Sequence, residues 1–154
     1  MNEGNFCIGI FLDLKKAFDV CSLPILLKKL SRMGVTGNTL SWFKSYLCNR
    51  SKKVVISSAD STDVNISVLQ GSILGPILFL VLINDLREVS TVLTSFLFAD
   101  DTSGLAKGKD LPELIEKINQ ELKKWSQWFR SNKLKVNTLK TKYIIFHPKG
   151  KKST

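Results

Sequence analysis

TSFLFADDTSGLA, residues 94–106, ends an apolar run in two adjacent carboxylates, Asp100 and Asp101. Such a pair is costly to bury and self-repelling, so it calls for a cation or a proton to meet it. Residues 92–99 and 102–106 have the composition of two short strands, with Asp100 and Asp101 in the turn that joins them. An apolar-Asp-Asp string also marks ordinary turns, so its meaning depends on what else reaches the same place. Upstream, FCIGIFL (residues 6–12) is continuously apolar and β-leaning, as expected of a central strand covered on both faces, and it ends at Asp13. If these strands are neighbours in one sheet, three carboxylates share one small region, and hard divalent cations with oxygen ligands relieve their repulsion.

The remaining segments alternate between helical and extended patterns. Ser22 is placed to cap a helix that has Pro24 in its first turn and stops at Gly34. A second helix is expected over about 38–47. KKVVIS and DVNISVL alternate at period two around Ala59-Asp60-Ser61 and suggest a hairpin that leads to Gln70-Gly71. Gly75-Pro76 opens an apolar helix to about Arg87. Residues 110–131 carry Asp110 and Glu113 as a capping-box-like pair and one stripe of Leu111, Leu114, Ile118, Leu122, Trp125 and Phe129. Residues 134–136 and 143–146 suggest a last pair of strands. The order is that of an α+β fold, an antiparallel sheet packed by helices on one side.

The chain has 154 residues, of which 44% are hydrophobic, the size of one domain. Its formal charge is +10, from 23 Lys and Arg against 13 Asp and Glu. The surplus lies late, since no acidic residue follows Glu121. Such a field favours polyanions, although a solvated lysine-rich tail has the same composition. Cys7, Cys21 and Cys48 are widely spaced and odd in number, which suits reduced thiols with a packing role in an intracellular protein. The N-terminus lacks a secretory pattern, and the longest apolar run, residues 73–83, is too short to span a membrane. The expectation is a soluble protein, intracellular in the nucleus or cytoplasm, with no membrane partner.

Four strings in order, FLDLKKAFD (11–19), LQGSILGPILFLVLINDL (69–86), FADD (98–101) and WFRSNKLKVNTLKTKYIIF (128–146), resemble successive motifs of reverse transcriptases from non-LTR retrotransposons of the jockey and long-interspersed-element type. The resemblance runs from about Phe6 to Pro148 and implies a polymerase palm, with fingers and thumb largely absent. Residues 1–148 are then a partial reverse transcriptase domain and 149–154 a basic tail. The implied activity is RNA-directed DNA polymerization, with RNA template, DNA primer and deoxynucleoside triphosphates as partners. Two Mg²⁺ ions, or Mn²⁺ in their place, are the implied cofactors.

By the same resemblance Asp13 and Asp100 are the metal-binding catalytic aspartates, the Leu14 carbonyl assists, and Asp101 has a less direct role. Phe18 matches the aromatic beneath the incoming sugar, and Gln70 and Gly71 match the loop against the nascent base pair. Lys140 matches a lysine that protonates or stabilises the leaving pyrophosphate. An ordinary core phenylalanine and a solvated surface lysine are the plain alternatives for Phe18 and Lys140. Lys133, Lys135 and Lys142 are candidate nucleic-acid contacts, and Lys15 and Lys16 weaker phosphate contacts. Asp19, Asp85 and His147 are read as structural.

Two departures stand out. Ser22-Leu23 replaces the family's usual Asp-His, and Leu69 replaces the proline before the Gln-Gly pair; neither touches a metal ligand. Without fingers and thumb the positioning that supplies most phosphoryl-transfer catalysis is reduced, so activity of this chain alone is expected to be weak or nil. The competing reading is a non-catalytic basic module, the remnant of a mobile element, that binds nucleic acid through its lysines.

Overall fold

The computed structural model describes residues 4–15, 17, 20–48, 51–53, 63–65 and 72–148. The chain forms two compact units, Met1–Lys15 with Ile83–Thr154, and Lys16–Leu82.

The first unit is built on a four-stranded antiparallel sheet in the order β4-β5-β1-β6, where β1 is Phe6–Leu12, β4 Thr94–Phe98, β5 Asp101–Gly108 and β6 Lys142–Phe146. The apolar β1 is central, as its composition predicts, with β5 and β6 on its two edges. It is not fully covered on both faces as expected: Ile8, Ile10 and Leu12 are buried on one face, and on the other Gly9 is buried, Cys7 half-buried and Phe11 43% exposed.

A single helix, α4 (Leu111–Ser131), covers the buried face. Asp110 caps it, its carboxylate accepting from the Glu113 N–H at 3.0 Å, as the capping-box pattern predicts. Leu114, Ile118, Trp125 and Phe129 are buried along its stripe. The fit to β5 is close because β5 carries glycines where the helix approaches: a Cβ on Gly104 would stand 2.9 Å from the Trp125 ring, and one on Gly108 3.3 Å from Leu114. The helix ends in a Schellman arrangement. Leu134 N–H donates to the Phe129 carbonyl at 2.9 Å and Lys133 N–H to the Arg130 carbonyl at 3.0 Å. Lys133 takes the left-handed conformation this requires, with φ of 59°.

The expected strand over 134–136 does not form. Only an isolated antiparallel bridge, Leu14 to Val136, is present there, and β6 pairs with β1 instead. The helix end fixes Leu134, leaving too short an extended run for a ladder.

In the second unit, α1 (Leu23–Arg32) and α2 (Gly37–Leu47) are neighbours, and α3 begins at Leu74 and continues to Ile83. Leu26, Leu30, Leu47, Leu78, Phe79 and Leu82 are buried. Ser22 holds the N-cap position of α1, but its side chain makes no capping bond; its backbone carbonyl accepts from Leu26 at 2.9 Å. Lys29 donates to the Leu82 carbonyl near the end of α3, where a cation suits the helix dipole. Of the expected hairpin, β2 (Ser51–Lys53) pairs antiparallel with β3 (Asp63–Asn65), and the rest lies outside the described residues. The apolar helix ends earlier than expected, at Ile83, and a 3₁₀ turn over Asn84–Glu88 follows.

No described helix is long and apolar enough to cross a membrane. None of the three cysteines forms a disulfide.

Candidate active site

The sheet's registers assemble the site. Leu12 pairs with Thr102, so one step further the β1–β5 ladder directs Asp13 at Asp101. Phe11 pairs with Lys142, so the β1–β6 ladder directs the same Asp13 at Lys140 on its other side. Asp13, Asp101, Lys140 and Lys142 accordingly line one open cleft of about 630 Å³ on the face of the sheet that α4 leaves bare, with Phe11 and Leu139.

Asp13 is held from the segment that follows α4. Its backbone carbonyl accepts from the Asn137 N–H at 2.7 Å, and its carboxylate Oδ2 accepts from Asn137 Nδ2 at 2.9 Å. Lys140 Nζ lies 3.9 Å from the same oxygen, with the lysine side chain 71% exposed. Asn137 in turn organises the loop that carries the lysine, its carbonyl accepting from the N–H groups of Lys140 and Thr141 and from the Thr141 hydroxyl. Asn137, the hydrogen-bond partner of Asp13, is a residue that motif reading passed over. Its signal was an amide three residues before a lysine in a short polar turn, a pattern that many surface loops share.

Leu14 is buried in the bridge to Val136. The bridge's hydrogen bonds are Lys15 N–H to the Lys135 carbonyl and Asn137 N–H to the Asp13 carbonyl, so it does not use the Leu14 carbonyl.

The turn differs from expectation by one residue. Phe98 pairs with Asp101, so the two-residue turn is Ala99-Asp100 and Asp101 opens β5. Ala99 has φ of 49°, a left-handed conformation that favours glycine and that, in a residue with a Cβ, marks strain at the hairpin tip. Neighbouring residues at such a tip project in different directions. Accordingly Asp101 lines the cleft with Asp13 while Asp100 does not, and no group of three His, Cys, Asp or Glu among the described residues is disposed to hold a metal. The expected three-carboxylate cluster is thus a facing pair with a third carboxylate in the adjoining turn.

Two carboxylates in one cleft suit a hard cation such as Mg²⁺, which is commonly held by one or two carboxylates with substrate phosphates completing its shell. Among the described residues no Cys or His lines the cleft, which makes it a poor site for zinc.

Lys133, Lys135 and Lys142 are exposed. Phe18, Gln70, Gly71 and Lys16 lie outside the described residues.

The sequence matches the family model described as reverse transcriptase (RNA-dependent DNA polymerase) over residues 1–153. The chain belongs to the reverse transcriptase family. Among curated relatives it is 28% identical over 155 residues to the RNA-directed DNA polymerase from mobile element jockey of Drosophila melanogaster, covering 95% of this chain and 17% of that protein. It is 30% identical over 148 residues to the probable RNA-directed DNA polymerase from transposon X-element of the same organism, covering 92% of this chain and 16% of that protein. This reverse transcriptase chain therefore spans about a sixth of the length of those non-LTR element proteins.

Similar solved folds are telomerases. Apo telomerase from Candida tropicalis, truncated from its C-terminal domain, gives a TM-score of 0.64 at 15% identity over 95% of this chain and 32% of that one. Telomerase from Candida albicans with a fragment of telomeric RNA gives 0.62 at 14% identity over 95% of this chain and 27% of that one. These likenesses establish the palm-like fold.

Proposed function

We propose that this chain is the palm of an RNA-directed DNA polymerase that adds deoxynucleotides to a primer 3′-hydroxyl by two-metal catalysis. The observation that supports this best is the convergence of Asp13, Asp101 and Lys140 on one cleft, dictated by the registers of β5 and β6 against β1.

In this reading Asp13 and Asp100 hold the cations, with Asp101, which lines the cleft beside Asp13, and the Leu14 carbonyl as adjacent oxygen donors. Bound Mg²⁺ or Mn²⁺ would supply activation of the attacking hydroxyl and neutralisation of phosphate charge. Asn137 keeps the Asp13 carboxylate oriented toward the cleft. Lys140, near Asp13 yet solvent-exposed, is able to turn to a phosphate and to hold or give the proton that the leaving pyrophosphate takes. Phe18, Gln70 and Gly71 belong to the proposal through the family motif, as sugar-selecting and base-pair-facing residues. RNA template, DNA primer and deoxynucleoside triphosphates are the proposed substrates, and an intracellular site of action goes with them. Most of a phosphoryl transferase's power is positioning, so extension by this chain alone is expected to be feeble, and cation binding is the more direct test.

Calorimetric titration with Mn²⁺ and Mg²⁺ supplies it. The parent is expected to bind, and Asp13→Asn and Asp100→Asn each to weaken binding about tenfold or more, a loss on the order of the charge-pair energies of partly buried sites. Binding that both substitutions leave unchanged, in chains that still melt cooperatively, would remove the site assignment.

A further inference from the structure

The face of the sheet opposite the cleft is left partly open by the way α4 is seated. Gly104 and Gly108 let the helix come down on β5, where a Cβ would meet Trp125 at 2.9 Å and Leu114 at 3.3 Å. A helix about 10 Å across does not also cover β6, two strands further on at about 4.8 Å each. A groove of about 240 Å³ results, lined by Ile8 and Ile10 of β1, Ile115 and Leu122 of α4, and Tyr143 and Ile145 of β6. Tyr143 is 71% and Ile115 39% exposed, large apolar side chains to leave in water.

Strand β6 is also an edge. The sheet order is β4-β5-β1-β6, so one side of its backbone has no strand partner among the described residues. Proteins usually blunt such an edge with proline, with charge or with a covering element. Tyr143, Ile144, Ile145 and Phe146 supply neither proline nor charge. An open edge and an apolar groove thus lie side by side. Strand addition uses these two features, the main chain giving affinity and pockets for alternate side chains giving selectivity.

We infer that this flank docks an extended peptide that adds a strand beside β6 and alternates apolar with acidic residues. Tyr143 and Ile145 are two residues apart, about 6.6 Å along the strand, so side chains at the same spacing in the partner enter the groove together. The partner's other residues fall on the opposite face of the sheet. Lys142 stands there, and a carboxylate across from it makes a favourable cross-strand pair. Charge selects this occupant over a second copy of the chain. No acidic residue follows Glu121, and Lys140, Lys142, Lys149, Lys151 and Lys152 lie in or near the strand in sequence. A second β6 would therefore bring two basic edges together in chains of net charge +10. The groove shares only Lys142 with the cleft that holds Asp13 and Asp101, so it does not rest on the polymerase reading.

The test is anisotropy of a fluorescein-labelled peptide of about seven residues, glutamate alternating with valine, titrated with the full chain in EDTA. The parent is expected to bind it, and Tyr143→Ser and Ile115→Ser each to weaken binding about tenfold or more. Phe96→Ser, on the sheet's other edge strand, should leave affinity unchanged. A strand joins a sheet along one of its own edges, so N-methylation of one alternate set of peptide amides should abolish binding and of the other set should spare it. A lysine-valine peptide should bind about tenfold more weakly or worse. Circular dichroism melting confirms that these exposed substitutions leave the fold intact. Groove variants that bind like the parent would overturn the inference, as would methylated peptides that both bind like the unmodified one, a lysine-valine peptide that matches the glutamate one, or a parent that binds none of them. Sedimentation showing a dimer that Ile115→Ser dissociates would also overturn it, by giving the groove to a second copy.

Discussion

Asp13 is a carboxylate with two unequal neighbours. The Asn137 amide is a firm hydrogen bond at 2.9 Å, whereas Lys140 at 3.9 Å is at the limit of an ion pair and largely solvated. The amide therefore fixes orientation, and the lysine remains mobile for a ligand. Asn137→Ala removes a hydrogen bond to a charged, part-buried group and should lower stability by about 1–2 kcal/mol in urea unfolding. It should also weaken Mn²⁺ binding, because Asp13 is no longer aimed; a variant with parental stability and parental metal affinity would deny Asn137 its positioning role.

A second carboxylate, Glu121, is buried on α4 away from the cleft. The Lys124 side chain, with Nζ 2.7 Å from Oε1, and then Ser90 hold its pKa below the ordinary 4.5, against the opposing effect of burial. A folded-state pKa below the unfolded value means stability that is present above about pH 4.5 and lost as pH falls through the folded value. The difference in melting temperature between the parent and Glu121→Gln should therefore be largest near neutrality and shrink as the pH falls below 4.5. A difference independent of pH would mean that the charge on Glu121 contributes nothing.

The contact between α4 and β5 depends on the absence of a side chain. At Gly104 a Cβ would stand 2.9 Å from the Trp125 ring, and Trp125 is 1% exposed within the core, with no open side to move into. Gly104→Ala should cost about 1–3 kcal/mol, the usual cost of overpacking, read as a lower denaturant midpoint at unchanged slope. Gly9→Ala makes the contrast, since its nearest neighbours at 3.4 Å and beyond are exposed rings at ordinary contact distance. Equal losses at the two positions would mean that packing against α4 is not what distinguishes them. At this scale α4 was legible in the sequence because its cap and stripe are local signals. Strand β1 was legible as a central strand but not as a half-open one, because an apolar run looks the same whether a face is covered by protein or presented to a ligand. The bridge at Val136 was misread as a strand because nothing local records that a helix end has already fixed Leu134. Asp13 and Asp101 were legible as carboxylates at strand ends, but their facing geometry depends on registers set by residues far apart in the chain.

Across the whole molecule, positive charge cannot be neutralised internally. With 23 basic and 13 acidic side chains, full pairing would still leave ten cations unmatched. Along α4, exposed Glu113 pairs with Lys117 and buried Glu121 with Lys124, and Asp13 is engaged by Asn137. The rest of the lysine field repels itself, and that repulsion is screened over about 10 Å at 0.1 M salt. Folding brings these charges closer than the unfolded chain does, so the folded state gains more from screening. The melting temperature should consequently rise as sodium chloride increases from about 0.01 to about 0.15 M, in contrast to a protein held by surface ion pairs, which salt weakens. Over the same range affinity for a polyanion must fall, because each phosphate contact releases counterions. The two trends have one cause and opposite signs. A melting temperature that falls with salt would show that the attractive pairs outweigh the unmatched lysines, and the surplus charge would then no longer account for binding.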